Sequence, residues 1–216
     1  MHHHSHESPA QTEGRLIRWA SHYDLITSIL TLGQINRLRT ITLDLALLKP
    51  GEAILDVGCG TGGVTIPAKQ RVGTAGKAAG IDPAPEMIAV AKEKAQGKGL
   101  EIDFRIGVIE ALPYPDASFD VVTSSLMMHH LPEHLQVKGN AEIYRVLKPG
   151  GRLLIADMAR ARPSTGHRGY NPLALHHHGV KFGIEDLKGT LEEVGFREVT
   201  QLEPRFFVIG FIRAVK

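Results

Sequence analysis

The sequence holds one cysteine, Cys59, in 216 residues. A single cysteine excludes an internal disulfide framework and any cysteine-rich zinc site, and it fits a reducing compartment. Long apolar runs are also missing. No stretch approaches the roughly 20 residues that cross a bilayer, so no integral membrane segment is expected. Aromatic residues make up only 6%, Lys and Arg are scattered, and the net charge is +2. Without a basic patch interleaved with aromatics, nothing argues for nucleic acid. Met1 to Thr12 lacks apolar periodicity and lacks a signal-peptide pattern. Its histidines, His2, His3, His4 and His6, read as a disordered, tag-like tail, with metal binding as the alternative. What remains, residues 13–216, is expected to be a single cytoplasmic domain, since 43% hydrophobic and 22% charged residues are ordinary for a soluble globular protein.

What the sequence does have is a glycine-rich turn behind an apolar strand. Ala53 to Val57 reads as a short buried strand, Gly58, Gly60 and Gly62 alternate, Gly63 follows, and a helix-compatible stretch starts at Val64. Strand, glycine turn and helix bring bare backbone up to a nucleotide-like ligand. Gly58-x-Gly60-x-x-Gly63 alone also satisfies a dinucleotide fingerprint, so it leaves a nicotinamide oxidoreductase open. Asp56, two residues before the first glycine, weighs against that alternative. A carboxylate there repels a pyrophosphate and suits an ammonium and a sulfonium, the cations of S-adenosylmethionine; its other reading is a loop-capping group.

Five segments then fall in register. Leu55-Asp56-Val57-Gly58-Cys59-Gly60-Thr61-Gly62, Gly80-Ile81-Asp82-Pro83, Glu110-Ala111-Leu112-Pro113-Tyr114, Ser118-Phe119-Asp120-Val121-Val122 and Leu147-Lys148-Pro149-Gly150-Gly151 together resemble class I S-adenosylmethionine-dependent methyltransferases. The similarity is to the small-molecule branch that includes the ubiquinone/menaquinone biosynthesis enzymes. It implies a Rossmann-like, seven-stranded, mostly parallel sheet with an antiparallel C-terminal hairpin and an N-terminal helical cap over residues 13–48. It also implies methyl transfer to a small quinone-like, aromatic or other nucleophilic acceptor, with a monomer or homodimer as the working unit. A non-catalytic module that binds S-adenosylmethionine is the further alternative.

The resemblance assigns cofactor contacts to Asp56, Gly58, Cys59, Gly60, Thr61 and Gly62, and to Asp82 and Pro83 beyond the second strand. A carboxylate at Asp82 matches two vicinal ribose hydroxyls, and N-capping of the next helix is its other reading. Met87 belongs either on the cofactor side or in the core. Val108, Ile109 and Glu110 follow the third strand. Many relatives carry an acid where this chain has Val108, so adenine is expected to rest on apolar contact with Val108 and Ile109 and on backbone groups. Within the cap, Trp19 and Tyr23 share a helix face, and Tyr23 is expected to close over the methionine end of the cofactor.

Ser124 to His130 leaves the fourth strand beside the crevice where strand order reverses. Ser124 and Ser125 are expected cofactor neighbours. His129, then His130, is the candidate base, because imidazole takes a proton near neutral pH; a purely structural role in the turn is the alternative. Residues 159–182 are expected to cover the acceptor, with Tyr170 and His176 lining it. Adjacent histidines on a strand point to opposite faces, so the triplet His176-His177-His178 predicts no metal site.

Overall fold

The computed structural model describes residues 13, 33–160, 183–206 and 208–216. The N-terminal tail, the Trp19–Tyr23 face and most of the expected acceptor cover (161–182) lie outside them. The described chain runs α1 (Ile35–Leu45), β1 (Ala53–Val57), α2 (Thr65–Val72), β2 (Lys77–Asp82), α3 (Pro85–Gln96), β3 (Asp103–Ile106), β4 (Phe119–Ser125), α4 (Glu133–Val146), β5 (Leu147–Met158), α5 (Leu187–Val194), β6 (Arg197–Phe206) and β7 (Ile209–Val215). A 3-10 turn, Met128–His130, follows β4, and another, Ile184–Asp186, leads into α5.

One seven-stranded sheet orders these strands β3-β2-β1-β4-β5-β7-β6. Strands β1 to β5 pair in parallel, and β7 pairs antiparallel with both β5 and β6. The expected sheet with its C-terminal antiparallel pair is therefore present. Order reverses between β1 and β4, which lie side by side with Asp56 opposite Thr123 and Val57 opposite Ser124. That reversal opens a crevice at the strands' carboxyl ends.

Each sheet face carries its own core. Leu55, Val57, Val122, Leu153 and Ile155 pack with Ile143 and Val146 of α4 and Leu187 and Leu191 of α5. Ile54, Val121, Leu154 and Phe211 pack on the other face with Leu38 and Leu43 of α1 and Val64, Ala68 and Val72. Strands covered on both sides must be apolar on both, which is why Ile54-Leu55 of β1 and Leu153-Leu154-Ile155-Ala156 of β5 are consecutive apolar residues rather than alternating ones. Helix ends follow local chemistry. Pro85 opens α3, where its missing N–H is no loss. The Lys69 ammonium donates to the carbonyls of Gly73 and Gly76 and closes the end of α2.

Three boundaries are set by particular contacts. The third strand is short, because only Asp103–Ile106 pairs with β2. The fifth begins at Leu147, which pairs with Phe119 before the register shifts, and Lys216 exchanges backbone hydrogen bonds with Gly150 and Gly151. The last helix is preceded by its own 3-10 turn, held where the Gly183 N–H donates to the Asp186 carboxylate.

Gly80 in β2 shows how tightly the sheet is filled beneath the glycine turn. A Cβ added there lies 2.9 Å from the Phe104 ring and 3.0 Å from Cys59 Cβ. Gly80→Ala is expected to lower stability by about 1–3 kcal/mol through overpacking. Urea unfolding reads this directly, and an unchanged midpoint rejects it.

Candidate active site

The glycine turn is fastened to β2 by its backbone. The N–H groups of Gly58 and Cys59 both donate to the Ile81 carbonyl at 2.9 Å. Gly58, Gly60 and Gly62 all have positive φ, at 73°, 51° and 79°, where L side chains are strained. Space forbids side chains as well: a Cβ on Gly58 meets Met127 Cγ at 2.5 Å, and one on Gly63 meets the Arg39 guanidinium at 2.5 Å. This is a cradle that a Cβ would fill.

Two carboxylates stand under the cradle. Asp82 accepts the Gly60 N–H through Oδ2 and the Ala84 N–H through Oδ1, both at 3.0 Å. It therefore ties the turn to Ala84, the residue ahead of α3, which has no side-chain cap of its own, and burial raises its pKa. Asp56 is 2% exposed. Its oxygens accept the hydroxyls of Thr65 on α2, at 2.7 Å, and Thr123 on β4, at 2.9 Å. These partners are a helix and a strand hydroxyl rather than turn amides, and Asp56 also lines a small cavity of about 50 Å³ against the glycine turn. Burial pushes the Asp56 carboxyl up from 3.8 to about 6, the two hydroxyls pull it partly back, and the nearby Asp82 charge adds to the rise.

Arg39 and Ile35 of α1, with Ser125 and Leu126, also line that cavity. Arg39 was not singled out from the sequence; nothing in a lone arginine on a helix ahead of the motif marks it. A cation and a carboxylate lining one cavity suit the charged head of an amino acid. Leu126 holds a positive φ of 56°, a strained conformation of the kind that clusters at functional sites. A larger cleft of about 350 Å³ lies on the far side of Gly62 and Gly63, between α1, α2 and α3, and is lined by Arg39, Arg71, Lys94 and Lys98. It is not at the strand ends, so the chemistry is assigned to the smaller cavity and its rim.

The other expected residues divide. Thr61 and Cys59 line the cavity, and Pro83 is half-buried beside Asp82. Met87 is buried and packs with Ala84 and Val90, so it takes its core reading. Ile109 is buried in the main core against Gly139 of α4. Val108 and Glu110 stay half-buried. Ser124 is buried as well. Strand alternation puts Thr123 and Ser125 on the face of Asp56 and Ser124 on the other, where its hydroxyl is fully buried with no hydrogen-bond partner among the described residues. Tyr23, Tyr170 and His176 lie outside the described residues.

His129 and His130 form the 3-10 turn after β4, their rings 3.9 Å apart between centroids. Gln136 of α4 pins the turn by donating to the carbonyls of Met128 and Leu131. The His129 Nδ1 lies 2.5 Å from Oδ1 of Asp157, and the His129 backbone N–H donates to Oδ2 at 3.3 Å. Asp157 sits near the end of β5 and is 1% exposed. Sequence reasoning missed it, though an acid ending the apolar run Leu153-Leu154-Ile155-Ala156 was its signal.

Residues 54–151 match a family described as a methyltransferase domain. The chain is 40% identical over 138 residues to a demethylmenaquinone methyltransferase of Thermus thermophilus, covering 64% of this chain and 61% of that one. It is 37% identical over 164 residues to an arsenite methyltransferase of Halobacterium salinarum, covering 74% of this chain and 41% of that protein. A solved SAM-dependent methyltransferase from Aquifex aeolicus superposes with a TM-score of 0.67 at 26% identity, over 82% of this chain and 88% of that one. Residues 54–151 are thus a methyltransferase domain of the S-adenosylmethionine-dependent kind. The chain spans about three fifths of the length of the first of these curated relatives. The residues fit an S-adenosylmethionine cradle: glycines with positive φ curve the turn, Asp82 ends β2, and Arg39 and Asp56 line the same cavity.

Asp56 gives the site a measurable signature. Its folded-state pKa is raised, so the fold disfavours the ionised form. Below about pH 4 folded and unfolded chains both hold the proton and nothing is lost; stability falls as pH climbs from about 4 to about 6 and stays lower above. About two pKa units correspond to about 3 kcal/mol. Asp56→Asn, whose amide still pairs with both threonine hydroxyls, is expected to be more stable than the parent at pH 7 by up to that amount. The gain should vanish below about pH 4. Equal unfolding midpoints at pH 7 reject the assignment.

Proposed function

We propose that the protein transfers a methyl group from S-adenosylmethionine to a small-molecule acceptor. The observation that carries the reading is the glycine cradle between Asp56 and Asp82, with Met127 and Arg39 closing where side chains would otherwise stand. The cofactor supplies an electrophilic methyl on a sulfonium. The chain's own residues orient the partners, because alignment alone accounts for much of the rate of such a displacement. Asp82, whose oxygens each accept one backbone N–H and keep a further acceptor site, holds the ribose hydroxyls. Arg39 and Asp56 take the amino-acid head, Arg39 through its carboxylate and Asp56 through its ammonium, and Val108 offers apolar contact to the base.

His129 serves on the acceptor side. It stands three residues beyond Leu126, which lines the cradle, and it is 22% exposed. Residues 159–182, assigned to the acceptor, leave the sheet directly after Asp157 and Met158. Similarity to demethylmenaquinone methyltransferases favours a quinol-like or other aromatic acceptor. Transfer to a thiol-bound metalloid through cysteine thiolates is disfavoured, although one relative bears the name arsenite methyltransferase. Cys59 is the only cysteine, it is buried, and burial with the charges of Asp56 and Asp82 drives its thiol well above the ordinary range.

Calorimetry tests the cofactor. S-adenosylhomocysteine should bind and NAD should not; the reverse outcome rejects the reading. Gly60→Val, at a backbone angle valine resists, should abolish that binding while the protein stays folded by circular dichroism.

His129→Ala should lower the rate of methyl transfer by about 10²- to 10⁴-fold with S-adenosylhomocysteine affinity nearly unchanged. A variant that loses affinity instead, with its rate at saturation intact, makes His129 structural.

A further inference from the structure

The contact between His129 and Asp157 decides more than the position of a ring. Asp157 is buried near the end of β5, and the one salt-bridge contact it makes among the described residues is with His129. Its Oδ1 already accepts the Met158 backbone N–H at 2.7 Å, and its Oδ2 the backbone N–H of His129 at 3.3 Å. A carboxylate oriented by two backbone donors presents an acceptor to Nδ1, 2.5 Å away. Nδ1 must then carry the ring hydrogen, and in the neutral imidazole the lone pair is left on Nε2. Among the described residues, no hydrogen bond engages Nε2.

The turn is built to keep this arrangement. One carboxylate grips both the backbone and the ring of His129, so rotating the ring breaks the Nδ1 contact while the backbone stays anchored. Gln136 holds the turn from the other side through two carbonyls. The His130 ring, inclined 45° at 3.9 Å, packs against the His129 ring.

We propose that Asp157 is a positioning residue that fixes His129 as the Nδ1–H tautomer, leaving the Nε2 lone pair for a methyl acceptor that must give up an O–H or N–H proton. This rests on the methyltransferase reading and narrows its acceptor class. In the step, the acceptor's O–H or N–H bond breaks, the proton joins Nε2, and the electron pair stays on the acceptor atom to form its bond to the methyl group. The positive charge lost at sulfur ends on the imidazolium, beside the Asp157 carboxylate. Phenols, quinols and enols that are neutral at working pH are the acceptors that gain from such a base; an acceptor already anionic gains nothing.

Long-range ¹H–¹⁵N NMR of the full chain, labelled at histidine nitrogens and free of cofactor, reads the tautomer at about pH 8.5, where ordinary imidazoles are neutral. His129 is assigned by the signals missing in His129→Gln. The parent protein should show His129 protonated at Nδ1, and Asp157→Ala should move the proton to Nε2. An Nε2–H ring in the parent protein overturns the proposal, and that spectrum needs no variant to fold. An Nδ1–H ring surviving in folded Asp157→Ala overturns it too. Calorimetry with S-adenosylhomocysteine on the same sample separates the two claims. Binding with an Nε2–H ring removes Asp157 from its role alone, whereas an Nδ1–H ring without binding removes the methyltransferase reading and leaves the tautomer lock standing.

Discussion

The site depends on one backbone junction. Two consecutive amides, Gly58 and Cys59, share the Ile81 carbonyl, so the chain leaving β1 is bound to β2 before it turns into α2. That junction sets the distance between the glycine turn and Asp82, whose carboxylate then captures the next available amide, Gly60. Because these contacts are made by main chain in a region of positive φ, no side chain can replace a glycine without moving the turn. The ligand-facing backbone is a by-product of that geometry.

Buried carboxylates recur where β1 and β5 end. Asp56 bridges β1, α2 and β4 through hydroxyls; Asp157 bridges β5 and the His129 turn through N–H groups. Neither has a Lys or Arg ion pair among the described residues. A buried charge without a cation opposes folding unless hydrogen bonds offset the lost hydration, and Asp56 with its raised pKa is disfavoured in that way. Such groups persist at a crevice because they place polar atoms where a ligand arrives, and local stability is the cost.

Much of this was legible in the sequence, for physical reasons that also explain the gaps. Glycine spacing encodes backbone angles directly, so the turn and its strand and helix could be read residue by residue. The apolar stretch Ala53–Val57 located β1, and the family resemblance supplied the sheet around it. Contacts between distant segments leave no local trace. Asp157 is 28 residues from His129, and only strand pairing of β4 with β5 brings them together. Arg39 reaches the cradle by the packing of α1, which no periodicity reports. The burial of Ser124 and Ile109 was not legible either: a strand flips its faces every residue, and which face is covered is set by the packing of distant helices.

The two halves of the site are mechanically one. Met127 sits where a Cβ on Gly58 would be, so the turn carrying His129 rests on the glycine cradle itself. Leu126 enters that turn with positive φ, held by its N–H on the Ala156 carbonyl, one residue before Asp157. A displacement of the cradle is therefore transmitted through Met127 to a turn whose far end is clamped by Asp157 and Gln136. With both ends restrained, the turn has little freedom to absorb the motion. The glycine turn and the His129 turn are consequently packed as one unit through Met127.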